Sequence, residues 1–306
     1  GLGLYEAFYN GERIGNEYFT PYSNDYNEWV QYQTYDVTEQ MKHSGTLSVL
    51  LGNGWYKGIL GFYCKPNQYG DRVGAFAEIH LEYEDGTREV IGTDESWNAR
   101  TGEVRYSEIY MGETIDTTAG EAQDREQSGI RTGAVSVMEF DKSTLTAQEN
   151  EPVRITERIP AKKLIVTPKG EKLVDFGQNL TGWVEIDAEL SKGMTVTLSA
   201  SEILQDECFY RENLRTAKAE FTYISNGKKA HVRPHFTFYG FRYMKVEIKS
   251  LDGKDVTEEW ITKISFAAYH LRSDFEQIGE ITTGDSKVNQ LFSNALWGQK
   301  DNFLDV

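Results

Sequence analysis

Four of the Asn-Gly and Asp-Gly dipeptides in this chain lie between predicted strands, and they constrain its fold more than any other feature. They are Asn10-Gly11, Asp85-Gly86, Asn226-Gly227 and Asp252-Gly253. Each lies between runs that alternate apolar and polar residues or are rich in β-branched residues, and such dipeptides favour the left-handed backbone of β-hairpin turns. Short strands that follow one another without intervening helices predict an all-β protein made of antiparallel, jelly-roll-like β-sandwiches.

The distribution of polar residues predicts the domain boundaries. Residues 119–160 are polar, apart from a short predicted strand at 135–140, and we interpret them as a junction. The junction separates two predicted β-sandwich domains, at residues 1–118 and 161–272. Residues 273–306 follow as a separate segment of different character.

This last segment contains the strongest helical pattern in the chain. Asp285 is a suitable capping residue, and an i, i+3, i+4, i+7, i+8 pattern follows it. The apolar positions are Val288, Leu291, Phe292, Ala295 and Leu296. The pattern predicts one C-terminal amphipathic helix. Its apolar stripe either packs on the second sandwich or belongs to a further helical domain.

Composition excludes several classes of protein. The 306 residues include 48 acidic and 32 basic ones, for a net charge of −16, which argues against a nucleic-acid partner. No apolar run approaches the ~18 residues of a membrane span, so no membrane partner is expected. Two distant cysteines, Cys64 and Cys208, form neither a disulfide framework nor a metal motif. No cofactor is required by any motif, and calcium is the metal that an acidic surface favours.

The loop Gly52-Asn53-Gly54-Trp55-Tyr56 follows an apolar run that predicts a buried strand. The glycines permit backbone conformations that a Cβ opposes, Asn53 offers a donor and an acceptor, and the aromatic rings offer flat apolar faces. This combination suits a sugar, but it is equally typical of a tight loop that packs on its own core. A similar loop contains Trp97 and Asn98. Both tryptophans are more often core residues than ligand platforms.

No catalytic motif is visible in the sequence. There is no Gly-x-Ser-x-Gly turn, and the five histidines do not have a metal-ligand spacing. The paired carboxylates are most simply interpreted as solvated turn charges.

Several longer motifs stand out in the two predicted domains. In the first domain these are Asn10-Gly11-x-Arg13-x-Gly15, the Gly-Asn-Gly-Trp-Tyr loop and Gly92-Thr93-Asp94-x-Ser96-Trp97. In the second, they are Asp175-Phe176-Gly177-Gln178-Asn179, Glu212-Asn213-Leu214-Arg215 and Phe236 to Tyr243. Together these motifs resemble those of bacterial α-L-rhamnosidases, and the second block is similar to the concanavalin-like domain of those enzymes. Ile281 to Asp285 with the following helix is similar to the entry to their catalytic (α/α)6 barrel.

The resemblance implies an inverting glycosidase whose acid and base lie in the barrel, which this chain is expected only to begin. We therefore expect this portion to be catalytically inactive, with its own catalytic barrel and a rhamnose-containing glycan as partners. The first domain is similar to rhamnose-binding modules that use calcium. This implies sugar contacts for Asn53, Trp55 and Trp97, and metal contacts for Asn53 and Asn98. Gly52 stands where those modules tend to have Asp, which removes one charged calcium ligand. The alternatives are a stand-alone rhamnose-binding module or a purely structural scaffold.

Overall fold

A computed structural model describes residues 1–61, 63–120 and 131–305. The first strands are β1 (Leu4–Tyr9), β2 (Glu12–Arg13), β3 (Val30–Tyr32), β4 (Leu47–Gly52), β5 (Glu78–Glu82), β6 (Arg88–Gly92), β7 (Asn98–Arg100), β8 (Val104–Glu108), β9 (Gly112–Asp116), β10 (Thr132–Ala134) and β11 (Leu145–Ala147). They are followed by β12 (Val153–Pro160), β13 (Lys163–Val166), β14 (Lys172–Glu189), β15 (Thr195–Ser201), β16 (Leu204–Gln205), β17 (Cys208–Phe209), β18 (Glu220–Ile224), β19 (Lys229–Val232), β20 (Tyr239–Lys249) and β21 (Ser265–Ser273).

Three α-helices accompany these strands within the described residues: α1 (Gly54–Lys57), α2 (Thr257–Trp260) and α3 (Ser286–Asn302). Short 3-10 turns lie at Thr117–Gly120, Lys142–Thr144, Glu212–Leu214 and Ile261–Lys263. The predicted all-β architecture with one C-terminal amphipathic helix is therefore confirmed. None of the helices in the described part of the chain has both the length and the apolar character needed to cross a bilayer.

The largest sheet has the strand order β12-β21-β14-β20-β15-β18-β9-β8, and β13 and β19 also pair with β14. The main hydrophobic core lies against this sheet and contains aliphatic and aromatic side chains of β14, β15, β18 and β20. A smaller sheet has the order β2-β1-β4. Most pairings are antiparallel, but β9 pairs with β18, and β3 with β11, in parallel. The hairpin patterns did not predict these two parallel pairs.

The predicted hairpins have mixed outcomes. Asn10-Gly11 joins β1 to β2 with both residues at positive φ, and Asp85-Gly86 joins β5 to β6, as predicted. At Asn226-Gly227 the prediction is wrong, because β18 pairs with β15 and β9 while β19 pairs with β14. After Asp252-Gly253 only one bridge forms, between Lys249 and Asp255, because the chain then enters α2.

A second apolar cluster joins the N-terminal sheet to the large sheet. It combines residues of the first region with residues of the second: Leu4, Phe19, Tyr22, Ile109, Val153, Trp183, Phe236 and Leu271. Trp183 is fully buried, and the rings of Tyr18 and Phe19 approach it edge-on, with centroids 5.0 and 5.9 Å away. Edge-to-face packing of large rings adds to the stabilisation from burial. The two regions thus share one core at their contact.

The junction is more structured than its polar composition suggests. Residues 135–140 form no strand. Instead the strands of this region are β10, β11 and β12, and β11 pairs with β3. Part of the junction, residues 121–130, lies outside the described residues. Strands β8 and β9 lie before residue 118 but belong to the large sheet. The boundaries 1–118, 119–160, 161–272 and 273–306 stay a prediction.

Helix α3 begins where the sequence predicts. The side chain of Asp285 caps it by accepting a hydrogen bond from the backbone N–H of Lys287 at 2.8 Å. Its last turns dock on the large sheet: Trp297 packs edge-on against His270, and Thr181 Oγ1 donates to the carbonyl of Asp301 at 2.6 Å. The N-terminal part of the apolar stripe is not covered, and Leu291 is 68% exposed.

Candidate functional site

The Gly52–Tyr56 loop is a tight corner between β4 and α1. Gly54 has φ +53°, and a Cβ on Gly52 would lie 2.4 Å from Cδ2 of Phe236. Only glycine fits at position 52, because a Cβ would overlap the ring of Phe236, and that ring is itself buried. The loop therefore packs directly on the second region. This close approach gives a physical reason for the absence of an acidic residue at Gly52.

The side chain of Asn53 is held by Glu108, which lies at the end of β8. Asn53 Nδ2 donates to Glu108 Oε1 at 2.7 Å, and the backbone N–H of Ile59 donates to Glu108 Oε2 at 2.7 Å. Glu108 is only 5% exposed, so its two hydrogen bonds satisfy a buried carboxylate. This arrangement closes the loop and leaves Asn53 Oδ1 as an acceptor.

Sequence reasoning did not identify Glu108. It ends a short strand and has the appearance of an ordinary solvated charge, and no local signal connects it to a loop far earlier in the chain. The proximity of Glu108 to this loop, including a distance of 2.9 Å from its Oε2 atom to where a Cβ of Gly58 would lie, becomes visible only once the chain is folded.

The aromatic residues of the loop are mostly used for packing. Trp55 is half-buried against the cluster that joins the two regions. Tyr56 is buried with Tyr26 and Tyr69, whose ring centroids lie 4.9 and 6.4 Å from its own. Two exposed rings lie two residues from Glu108 in sequence: Tyr106, on β8 and on the same strand face, and Tyr110. Burial, followed by the charge of Glu108, raises the pKa of Tyr106.

The second predicted segment lies in a different sheet. Asn98 is exposed on β7, which pairs with β10, and Trp97 is half-buried in the turn before it. Among the described residues, no hydrogen bond or ring contact joins Trp97 or Asn98 to Asn53 or Trp55. Tyr106 and Ser107 lie within β8. The structure therefore brings Asn53, Trp55 and Glu108 together, and the roles assigned to all four predicted site residues stay predictions.

The donors and acceptors around Asn53 suit a neutral polar ligand better than a bare metal ion. Both oxygens of Glu108 already accept hydrogen bonds, so Asn53 Oδ1 is the free oxygen that this contact leaves. In residues 1–61, 63–120 and 131–305, no group of three His, Cys, Asp or Glu side chains could hold a metal ion. A calcium ion at this loop would need further oxygen ligands, because calcium takes about six to eight.

A charged network fixes the loop relative to the large sheet. Glu6 on β1 accepts hydrogen bonds from Arg233 Nη2 at 2.8 and 3.0 Å, and His235 Nδ1 lies 3.0 Å from the same carboxylate. Burial by itself would raise the pKa of Glu6, but the hydrogen bond with His235 and the charges of Arg233 and Arg13 outweigh it and lower the pKa to about 2. Glu6 is therefore ionised at neutral pH and is bound by cations of the second region.

A neighbouring carboxylate continues this network. Glu113 accepts the backbone N–H groups of His235 and Phe236, at 2.8 and 3.0 Å. Since Phe236 packs on Gly52, Glu113 positions the residue that supports the loop. Burial raises the pKa of Glu113, against the nearby cations and backbone donors that lower it.

Comparison with known families gives two matches. Residues 1–157 match the α-L-rhamnosidase N-terminal domain. Residues 165–267 match the bacterial α-L-rhamnosidase concanavalin-like domain. The two matches follow each other in the order in which the predicted domains occur.

Individual relatives agree with these matches. An α-L-rhamnosidase of Streptomyces avermitilis is 37% identical over 100% of this chain and 29% of its own length. Its crystal structure in complex with L-rhamnose superposes with a TM-score of 0.87. The structure of an α-L-rhamnosidase from Aspergillus terreus, 31% identical, superposes with a TM-score of 0.86 over 99% of this chain and 35% of that one. The chain thus spans about a third of the length of these relatives.

Proposed function

This chain belongs to the α-L-rhamnosidase family, and on that premise we propose that it is the accessory β portion of an enzyme that hydrolyses terminal α-L-rhamnosides. The observation that carries this proposal is the match itself. It runs along the whole chain yet covers 29% of the Streptomyces avermitilis enzyme and 33% of an α-L-rhamnosidase from Alteromonas. The activity of the whole protein then requires parts that correspond to the remaining two-thirds of those enzymes.

The proposed reaction is inverting hydrolysis. It needs a general acid and a general base ~6.5–9.5 Å apart with a water between them. Four buried glutamates near the contact between the first and second regions are already engaged: Glu6 binds Arg233, Glu108 binds Asn53, Glu113 binds backbone N–H groups, and Glu185 accepts from Trp183 Nε1 at 3.0 Å. Engaged carboxylates of this kind support a structural role, so we assign the catalytic pair to a helical barrel domain outside residues 1–306.

The role of this chain is then to support that barrel. The N-terminal end of α3 and the segment before it expose a row of aliphatic side chains: Ile278, Ile281, Val288 and Leu291. Exposed aliphatic groups in one continuous segment are typical of a contact surface. We assign this surface to the enzyme's own catalytic barrel.

The test compares hydrolysis by two proteins. An aryl α-L-rhamnoside such as p-nitrophenyl α-L-rhamnopyranoside is incubated with this chain and with the protein extended through the barrel domain. We expect release of p-nitrophenol by the longer protein alone. Release by residues 1–306 contradicts the assignment of the catalytic pair to the barrel.

A second candidate function is binding of terminal rhamnose by the first domain, and the Asn53–Glu108 contact favours it. Glu108 fixes the carboxamide of Asn53 by accepting a hydrogen bond from its Nδ2 atom. The Oδ1 atom of Asn53 can then accept a hydrogen bond from a sugar hydroxyl. The partly buried Trp55, two residues further along the chain, supplies apolar surface. No cofactor is required in this proposal. Calcium is optional, with Asn53 as its proposed ligand, because Asn98 lies in a different sheet and makes no hydrogen bond to Asn53 among the described residues.

Titration calorimetry tests this second candidate. L-Rhamnose is added to the chain in buffer with calcium and, separately, with a chelator. Heat that disappears in an Asn53→Ala variant supports sugar binding, and heat that also requires calcium supports the metal. The absence of heat in both buffers leaves the scaffold function alone.

A further inference from the structure

Two motifs of the second region meet at one carboxylate that neither of them contains. Glu202 directly follows β15. Its Oε1 atom accepts a hydrogen bond from Nδ2 of Asn179 at 3.3 Å, and its Oε2 atom accepts one from Nδ2 of Asn213 at 3.1 Å. Asn179 belongs to the Asp175–Asn179 motif and Asn213 to the motif that begins at Glu212. Folding therefore assembles a cluster of one carboxylate and two carboxamides, here called the Glu202 cluster.

The cluster retains unused hydrogen-bonding capacity. A carboxylate can accept about four hydrogen bonds, and the two amides supply two of them. Oδ1 of Asn179 is buried and has no hydrogen-bond partner among the described residues. An unsatisfied buried acceptor is uncommon in folded proteins, and a bound water or ligand hydroxyl is one explanation for it. This orphan oxygen is an observation independent of the contacts within the cluster.

The carboxylate of Glu202 lies close to Gly240 of β20, at ordinary van der Waals distance from where a Cβ would be. A Cβ there would lie 3.4 Å from Oε1 of Glu202, so Glu202 lies over the backbone of β20. Gly240 pairs with Thr181 of β14, and residues directly opposite each other in a ladder project to the same face. Thr181 Oγ1 in turn donates to the carbonyl of Asp301 in α3. The Glu202 cluster therefore lies on the sheet face that also receives the end of α3.

We propose that Glu202, Asn179 and Asn213 form a subsite for the hydroxyl groups of a neutral saccharide, distinct from the Asn53 loop. Vicinal hydroxyls both donate and accept, and the cluster offers free carboxylate lone pairs beside amide groups. An anionic ligand is disfavoured by the charge of Glu202 and by the net charge of −16. A metal ion is disfavoured because amide N–H groups, not oxygens, face the carboxylate.

The proposal rests on the proposed function for its choice of ligand, because an α-L-rhamnosidase acts on glycans. It extends that function by placing a second saccharide contact beside the helix that we assign to the barrel contact. The backbone supports a shaped loop here, since Arg215 has φ +57°, a conformation that is costly for a residue with a side chain.

A site-resolved titration tests the proposal. The disaccharide rutinose, rhamnosyl-glucose, is added to the deuterated, ¹⁵N-labelled chain, and the amide and carboxamide resonances are followed by TROSY NMR. We expect saturable shifts at Asn179, Asn213 and Gly240. We expect Glu202→Gln and Asn213→Ala to weaken that binding about tenfold or more, because a hydrogen bond to a charged group is lost. Glu212→Gln, which removes an equal charge from an exposed neighbour, is the matched control.

Each outcome is decisive. Shifts near Gly240 that Glu202→Gln weakens and Glu212→Gln preserves support the subsite. Shifts confined to the Asn53 loop, or no shifts near Gly240, overturn it. Asn213→Ala alters an exposed side chain, so it keeps the test valid if Glu202→Gln proves unfolded. None of these results depends on hydrolysis, so failure here leaves the test of the proposed function intact.

Discussion

Arg233 donates to both carboxylate oxygens of Glu6, at 2.8 and 3.0 Å, and so ties β1 to the segment that precedes β20. The two residues lie 227 positions apart in the chain. Glu6 is almost completely buried, and Arg233 lies within 5.3 Å of the ring centroids of both Tyr18 and Trp183. The contact between the two regions thus combines an ion pair with aromatic packing.

Glu6→Gln is expected to lower the free energy of unfolding by about 3–5 kcal/mol, because removing one partner leaves a buried charge uncompensated. Urea denaturation measures the change. The control is Glu39→Gln, since Glu39 pairs with Lys42 at an exposed site where a pair contributes about 0–1 kcal/mol. Equal effects of the two substitutions contradict a structural role for the Glu6 ion pair.

The same carboxylate predicts a pH dependence. Because the pKa of Glu6 is lowered from 4.5 to about 2 in the folded state, its contribution to stability is fully present above about pH 4.5 and is lost as the pH falls toward 2. The difference in unfolding free energy between the parent chain and Glu6→Gln should therefore shrink between those pH values. A difference that stays constant from pH 5 to pH 2 contradicts the lowered pKa.

Gly52→Ala is expected to destabilise the chain by about 1–3 kcal/mol, because its Cβ would lie 2.4 Å from Phe236 and the site cannot expand without strain. The matched control is Gly102→Ala, where no atom lies within 4 Å and φ is not left-handed. The control should change stability by less than about 0.5 kcal/mol. Thermal unfolding of both variants distinguishes a crowded site from a general cost of losing glycine.

Trp297→Ala and Leu291→Ala test which part of α3 is docked. Trp297 is half-buried against the large sheet, so its loss should cost about 2 kcal/mol, somewhat less than a fully buried aromatic residue. Leu291 is exposed, and its loss should cost less than about 0.5 kcal/mol in residues 1–306. Urea denaturation of the two variants gives the comparison. A larger cost for Leu291 contradicts the docking described here.

Local signals predicted the local parts of the fold. The turn at Asn10-Gly11 was predictable because two residues with positive φ determine the hairpin by themselves. The helix cap at Asp285 was predictable because it is also a local signal, a capping side chain directly before an amphipathic pattern. The parallel pairing of β9 with β18 was not, because it depends on residues more than a hundred positions apart that share no local pattern. At Asn226-Gly227 the choice of strand partners is made by the sheet as a whole, so the local turn signal did not determine the pairing.

In the candidate site, too, the local features were predictable from the sequence and the long-range contacts were not. Asn53 was identifiable because its flanking glycines mark a constrained corner. Its partner Glu108 was not, because a buried glutamate and a solvated one have the same appearance in sequence. The Glu202 cluster was equally hidden, since Asn179 and Asn213 belong to separate motifs and the residue between them lies in neither.

The parallel pair of β9 and β18 affects how this protein can be divided. A shortened protein that ends near residue 118 would carry away two strands of the large sheet and leave β18 with an open edge. Open strand edges promote aggregation. Separate production of the sugar-binding candidate and of the concanavalin-like domain therefore requires that β8 and β9 stay with the latter. A recombination event at that boundary would meet the same obstacle, so the two regions are expected to be inherited and exchanged as one unit.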